Sequence, residues 1–159
     1  MDALFSASEV LGAMITPAVL ISASGTLVLS TSNRLTRVVD RVRALAEEAE
    51  GLRNGESSAG VEARRQLIWE QIPILSARVR LLRQALEALY AAIGLLVATS
   101  IAVGIVAALR GAHGWIPVIS GLAGASALLW GSLLLVREAR LAIGSTLREM
   151  DFLAREVAR

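Results

Sequence analysis

The sequence predicts an all-α polytopic membrane protein, with three transmembrane helices that continue into long amphipathic cytoplasmic extensions. Three observations carry this. The 159-residue chain is 55% hydrophobic yet only 4% aromatic, with a mean hydropathy of +0.60, well above the usual apolar share of a soluble domain. Its apolar residues gather in three uncharged runs, Val10–Asn33, Ala88–Leu109 and Trp115–Val136. Its arginines stand at consistent ends of those runs, as the positive-inside rule requires of a membrane protein.

The first run defines a span at 11–33. At 1.5 Å rise per residue it is roughly 34 Å long, enough to cross a hydrocarbon core of about 30 Å. It does not read as a cleaved signal peptide, because Asp2 and Glu9 precede it, no basic residue does, and its apolar part is too long. Beyond it, Leu35, Val38, Val39, Val42, Leu45, Ala46, Ala49 and Leu52 keep helical spacing. The helix is therefore expected to leave the bilayer at Asn33 without a break and to run on to about Glu50. The stretch Gly51–Gly60, GLRNGESSAG, supplies turn chemistry.

A second helix is expected from about Val61, carried by Leu67, Ile68, Ile72, Leu75, Val79, Leu82, Leu86 and Leu89. Pro73 predicts a kink in it. It continues into a span at 88–109, and residues 34–87 form a cytoplasmic helical hairpin. A GAHG turn, Gly111–Gly114, leads to the third span at 115–136, and a C-terminal cytoplasmic helix follows at 137–159. The whole chain, 1–159, reads as one membrane domain. Either the tail completes a bundle with the hairpin or other subunits do. Ten arginines lie between Arg34 and Glu87, five from Arg137 onward, one in the loop at Arg110, and none before the first span. That places the N-terminus outside and the C-terminus in the cytoplasm of a bacterial inner membrane.

Two stretches carry a family resemblance. MITPAVLISASGTLVLSTSNRLTRVVDRVRAL (Met14–Leu45) has a proline in a small-residue helix, a Ser-Asn-Arg exit and a spaced Arg-Asp-Arg helix. ARVRLLRQAL (Ala77–Leu86) precedes the second span. Together they resemble the bacterial membrane family called domain of unknown function 2721. The resemblance implies a small helical membrane protein and brings no assigned activity.

Candidate functional residues concentrate on the first helix. Ser22, Thr26, Ser30, Asn33 and Arg37 follow one another at spacings of four, four, three and four and share a face. Such a stripe suits the wall of a narrow wet path ending in arginine, or a set of hydroxyls spent on helix packing. Arg34, Asp40, Arg41 and Arg43 form a charge cluster at the exit. Asp40 is three residues from both Arg37 and Arg43 and within pairing reach of each. The cluster reads as a topology signal on a solvated face, as a phosphate or headgroup contact, or as an ion-selecting ring in an oligomer. Pro17 and Pro73 are candidate hinges.

Small residues at four-residue spacing, Gly94, Ala98 and Ala102, then Gly121 with Ala125 and Ala127 with Gly131, point to close helix packing within or between chains. Trp69 reads as core or interface, and Trp115 as an outer-leaflet anchor.

The sequence argues against enzyme chemistry. It has no cysteine, and its single histidine, His113, lies in a short loop without partners for a metal. No phosphate-binding glycine loop is present, and no cofactor is expected. The arginines are too evenly balanced by acids for a nucleic-acid partner. No charge stands at the middle of a span, which disfavours a carboxylate-based proton-coupled transporter. The expected partners are the lipid bilayer and further copies of the chain in a homo-oligomer, with a larger membrane complex as the alternative. Two function classes stay open: a channel-like assembly lined by the first helix, and a structural or accessory subunit.

Overall fold

A computed structural model describes residues 7–53, 59–109 and 114–157. The chain is all-α, with three helices: α1 (Ala7–Arg53), α2 (Ala59–Ala108) and α3 (Trp115–Val157). All three are long and apolar enough to cross a membrane. In their most apolar windows no more than 17% of the residues are buried within the protein. Leu11, Ile15, Val19, Leu29, Val97, Ile101, Ile105, Leu122 and Leu129 are all exposed. So large an outward apolar surface needs a hydrocarbon solvent, and these helices contact the lipid bilayer.

α1 passes through Asn33 and Arg34 without interruption, as the periodicity predicts. Its end differs from the expectation. Gly51, Leu52 and Arg53 remain helical, and α2 already begins at Ala59. The stretch between the two helices is therefore shorter than the glycine and serine content suggests, and residues 54–58 lie outside the described set, as does His113. Pro17 and Pro73 both sit inside unbroken helices. Each lacks an N–H, so the carbonyls of Ala13 and Trp69 lose their usual donor. Pro117 falls in the first turn of α3, where no intrahelical donor is needed.

The chain divides into two compact units, and each helix contributes a segment to both. The first unit comprises Met1–Thr31 and Ala85–Leu133; the second comprises Ser32–Gln84 and Leu134–Arg159.

Burial along each helix follows a period of 3.5 residues. On α1 the buried positions are Pro17, Ser24, Thr31, Val38 and Leu45, seven residues apart. On α2 they are Leu82, Ala85, Leu89, Ala92, Leu96 and Thr99, alternating by three and four. On α3 they include Gly124, Gly131, Leu134 and Glu138. A repeat of seven is the signature of knobs-into-holes packing. Trp69 shows what this register excludes. Ile68 takes the seam position at 3% exposure, so its neighbour Trp69 turns outward and is 67% exposed, not core.

In the first unit, α3 meets α2 through glycines. A Cβ at Gly124 would stand 3.1 Å from Leu96 Cγ and 3.3 Å from Leu95 Cβ. At Gly131 it would stand 3.2 Å from Leu89 Cδ2 and 3.4 Å from the Ala85 carbonyl. Gly121 lies similarly against Thr99. Lipid tails are as apolar as leucine, so close van der Waals packing, and not transfer from water, holds such helices together. Gly94, by contrast, has nothing within 4 Å of its would-be Cβ. Its small-residue row does not serve packing in this unit.

The two glycine classes should respond oppositely to substitution. Gly124→Val is expected to lower unfolding stability in detergent by about 2 kcal/mol through overpacking. Gly94→Ala should leave it unchanged or raise it by up to about 1 kcal/mol through helix propensity. Thermal unfolding of the two purified variants checks both.

Candidate functional site

The second unit holds a charged cluster built on one buried carboxylate. Glu138 sits on the α3 seam, seven residues after Gly131, and is 1% exposed. Its Oε1 accepts from Arg78 Nε at 2.9 Å and lies 2.9 Å from Arg78 Nη2. Its Oε2 accepts from Arg34 Nη1 at 3.5 Å. One residue from each helix therefore meets at this point: Arg34 of α1, Arg78 of α2, Glu138 of α3. Arg34 is about half exposed, and Arg78 is largely covered.

The two guanidiniums border a groove of about 320 Å³ that Arg37, Val38, Arg41 and Glu138 also line. Arg34, Arg37 and Arg41 recur at three and four residues, so one face of α1 brings them to the same groove. Arg37 and Arg41 are exposed. Arg37 Nε donates to the Asn33 carbonyl at 3.3 Å. That bond draws the side chain back along its own helix and away from Asp40. Among the described residues neither Arg37 nor Arg43 forms an ion pair with Asp40. The local pairing that the i,i+3 spacing allows is therefore not used. Arg43 faces a different groove, with Val39, Val42, Pro73 and Arg80.

The hydroxyls of α1 separate into two sets. Ser24 and Thr31 are buried on the seam, and each donates to its own helix at 2.7 Å, to Leu20 O and Leu27 O. The predicted stripe is elsewhere: Ser22, Thr26, Ser30, Asn33 and Arg37 are all exposed. Thr26 donates to Ser22 O at 3.4 Å. The first unit also packs a further pair of hydroxyls, Thr99 and Ser120, hydrogen-bonded between α2 and α3 at 3.0 Å. A second groove there, of about 780 Å³, is walled chiefly by apolar side chains such as Ala13, Pro17, Leu96, Val103 and Leu122.

Sequence reasoning on single helices singles out Arg34 but passes over Arg78 and Glu138. The signal that finds Glu138 is the seven-residue register: Gly124 and Gly131 on the seam carry the next buried position to 138. Arg78 gives no comparable sign among the other arginines of α2.

Three long apolar helices with their faces outward define the class, an α-helical polytopic membrane protein. Within that class, the chain belongs to the family described as protein of unknown function (DUF2721), whose model matches residues 14–147. No match is found among curated proteins or solved structures.

The pairing geometry orders the expected effects of truncation. Arg78→Ala removes both short contacts and leaves a buried carboxylate facing only the longer one. It should destabilise by about 3 kcal/mol. Arg34→Ala removes a longer contact made by a half-exposed group and should cost under about 1 kcal/mol. Chemical or thermal unfolding of the two variants in the same detergent measures the difference.

Proposed function

We propose that this chain is a non-enzymatic inner-membrane protein that self-associates around the polar face of α1 to form a channel-like path. The observation that carries this reading is the exposure of Ser22, Thr26, Ser30, Asn33 and Arg37. Intrachain packing of α1 uses the opposite set, Pro17, Ser24, Thr31, Val38 and Leu45, and leaves the stripe unspent. Polar side chains facing hydrocarbon are unfavourable, and a second copy or enclosed water relieves them. In this assembly Ser22, Thr26 and Ser30 wall the path, and Arg37 at its cytoplasmic mouth repels cations. The N-terminus lies outside and the arginine-rich segments lie in the cytoplasm, by the positive-inside rule.

A second reading is an accessory subunit of a larger membrane complex. The apolar groove of the first unit favours it, since its chiefly apolar lining suits an apolar helix of another protein. Stoichiometric recovery of a foreign membrane protein in mild detergent would replace the first reading by this one.

Flux in liposomes tests the channel reading. Purified protein should pass small anions faster than empty vesicles do, and Thr26→Leu with Ser30→Leu should cut that flux at least about tenfold by narrowing and drying the path. Flux equal to that of empty vesicles, across several ions and voltages, contradicts it.

A further inference from the structure

The groove beside Glu138 has a charge balance that the protein itself does not complete. Four guanidiniums, from Arg34, Arg37, Arg41 and Arg78, line it against the single carboxylate of Glu138. That leaves a surplus of three positive charges on a concave surface. The carboxylate fixes two of these guanidiniums in place: Arg78 through 2.9 Å contacts and Arg34 through its 3.5 Å contact. Arg37 and Arg41, on the same face of α1, are exposed and form no ion pair among the described residues. Like charges gathered in a cleft repel one another and focus the field on whatever anion enters. Guanidiniums held in a fixed orientation match the paired oxygens of a phosphate group, and part of their ordering has already been met by the bonds to Glu138.

The place of the groove narrows the ligand further. Arg34 directly follows the uncharged run that ends at Asn33, and Glu138 stands two residues, about 3 Å of helix rise, beyond the run that ends at Val136. Basic pockets between membrane helices at this depth meet phospholipid headgroups and also face soluble anions.

We propose that the groove formed by Arg34, Arg37, Arg41 and Arg78 around Glu138 binds a phosphate-bearing anion. The shared chemistry is a phosphate group with net negative charge, supplied by an anionic lipid headgroup or by free phosphate. Arg78 and Arg34 form the fixed wall, and Arg37 and Arg41 close on the ligand from the solvent side. This site shares Arg37 with the proposed path of α1 but does not depend on that path, since Arg34, Arg41 and Arg78 lie outside it and binding is read without any flux.

The test is calorimetric titration of the full-length protein in detergent with three probes: dihexanoyl phosphatidylglycerol, dihexanoyl phosphatidylcholine and inorganic phosphate. Saturable binding of the phosphatidylglycerol but not of inorganic phosphate assigns the headgroup; binding of inorganic phosphate assigns the free anion as a ligand as well. Arg37→Gln with Arg41→Gln, which leaves the Glu138 contacts in place, should weaken that binding at least about tenfold. Arg43→Gln with Arg80→Gln removes the same charge from the other groove and should change it less than about twofold. The proposal is overturned if neither anion binds, if the phosphatidylcholine binds as well as the phosphatidylglycerol, or if the two double variants lose affinity equally.

Discussion

A carboxylate withdrawn from water must be met by cations or remain a heavy penalty. At Glu138 this requirement links α3 to α1 and α2 at once, because the two guanidiniums that meet it come from Arg34 and Arg78. A buried ion pair adds little net stability compared with well-packed apolar residues. What it sets in this unit is register. Turning α3 by one residue would carry Glu138 off the seam and bring Arg137 or Ala139 to it. Neither can satisfy two arginines. The same contacts hold two guanidiniums at the edge of a groove that two further arginines line, and so turn a packing element into a recognition surface.

The seam that delivers Glu138 to this point obeys a seven-residue repeat on all three helices. Its chemistry changes along the chain while its period does not. In the first unit leucines such as Leu89 and Leu96 share it with Ser24, Thr31, alanines and glycines, and the small groups let backbones approach where hydrophobic transfer contributes nothing. In the second unit its buried apolar residues are Val38, Leu45, Ile68, Leu82 and Leu134, and the first four of these lie outside the apolar runs, where burial from water does contribute. On α1 the seam hydroxyls of Ser24 and Thr31 are satisfied locally, by Leu20 O and Leu27 O, so they fill space without demanding a partner across the interface.

Much of the fold was legible because its signal is strong and local. Uncharged runs of this length have few alternatives to spanning helices, and an unbroken apolar periodicity through Asn33 leaves no place for a loop. Legibility failed where tertiary register decides. A 3.6-residue reading of α1 groups Ser22, Thr26 and Ser30 correctly on one face, but it does not say whether that face is inside or outside. The repeat of seven answers this by placing Ser24 and Thr31 inside. Trp69, near Pro73, reads as core or interface, but Ile68 beside it holds the seam position and leaves Trp69 outside the core. Asp40 was given two arginine neighbours by spacing, yet Arg37 bonds the Asn33 carbonyl instead. Glu138 was hidden between Arg137 and Arg140, where a charged tail is the ordinary reading, and its partners lie 60 and 104 residues away.

The most direct check on the role of Glu138 is a rescue measured by unfolding in detergent. If its carboxylate is buried and depends on Arg78, then Arg78→Ala leaves an uncompensated charge that Glu138→Leu removes. The double variant should therefore be more stable than Arg78→Ala alone, by at least about 1 kcal/mol. Additive losses, with the double variant less stable than either single one, would show that Glu138 does not carry a buried charge held by Arg78, and the account would fail.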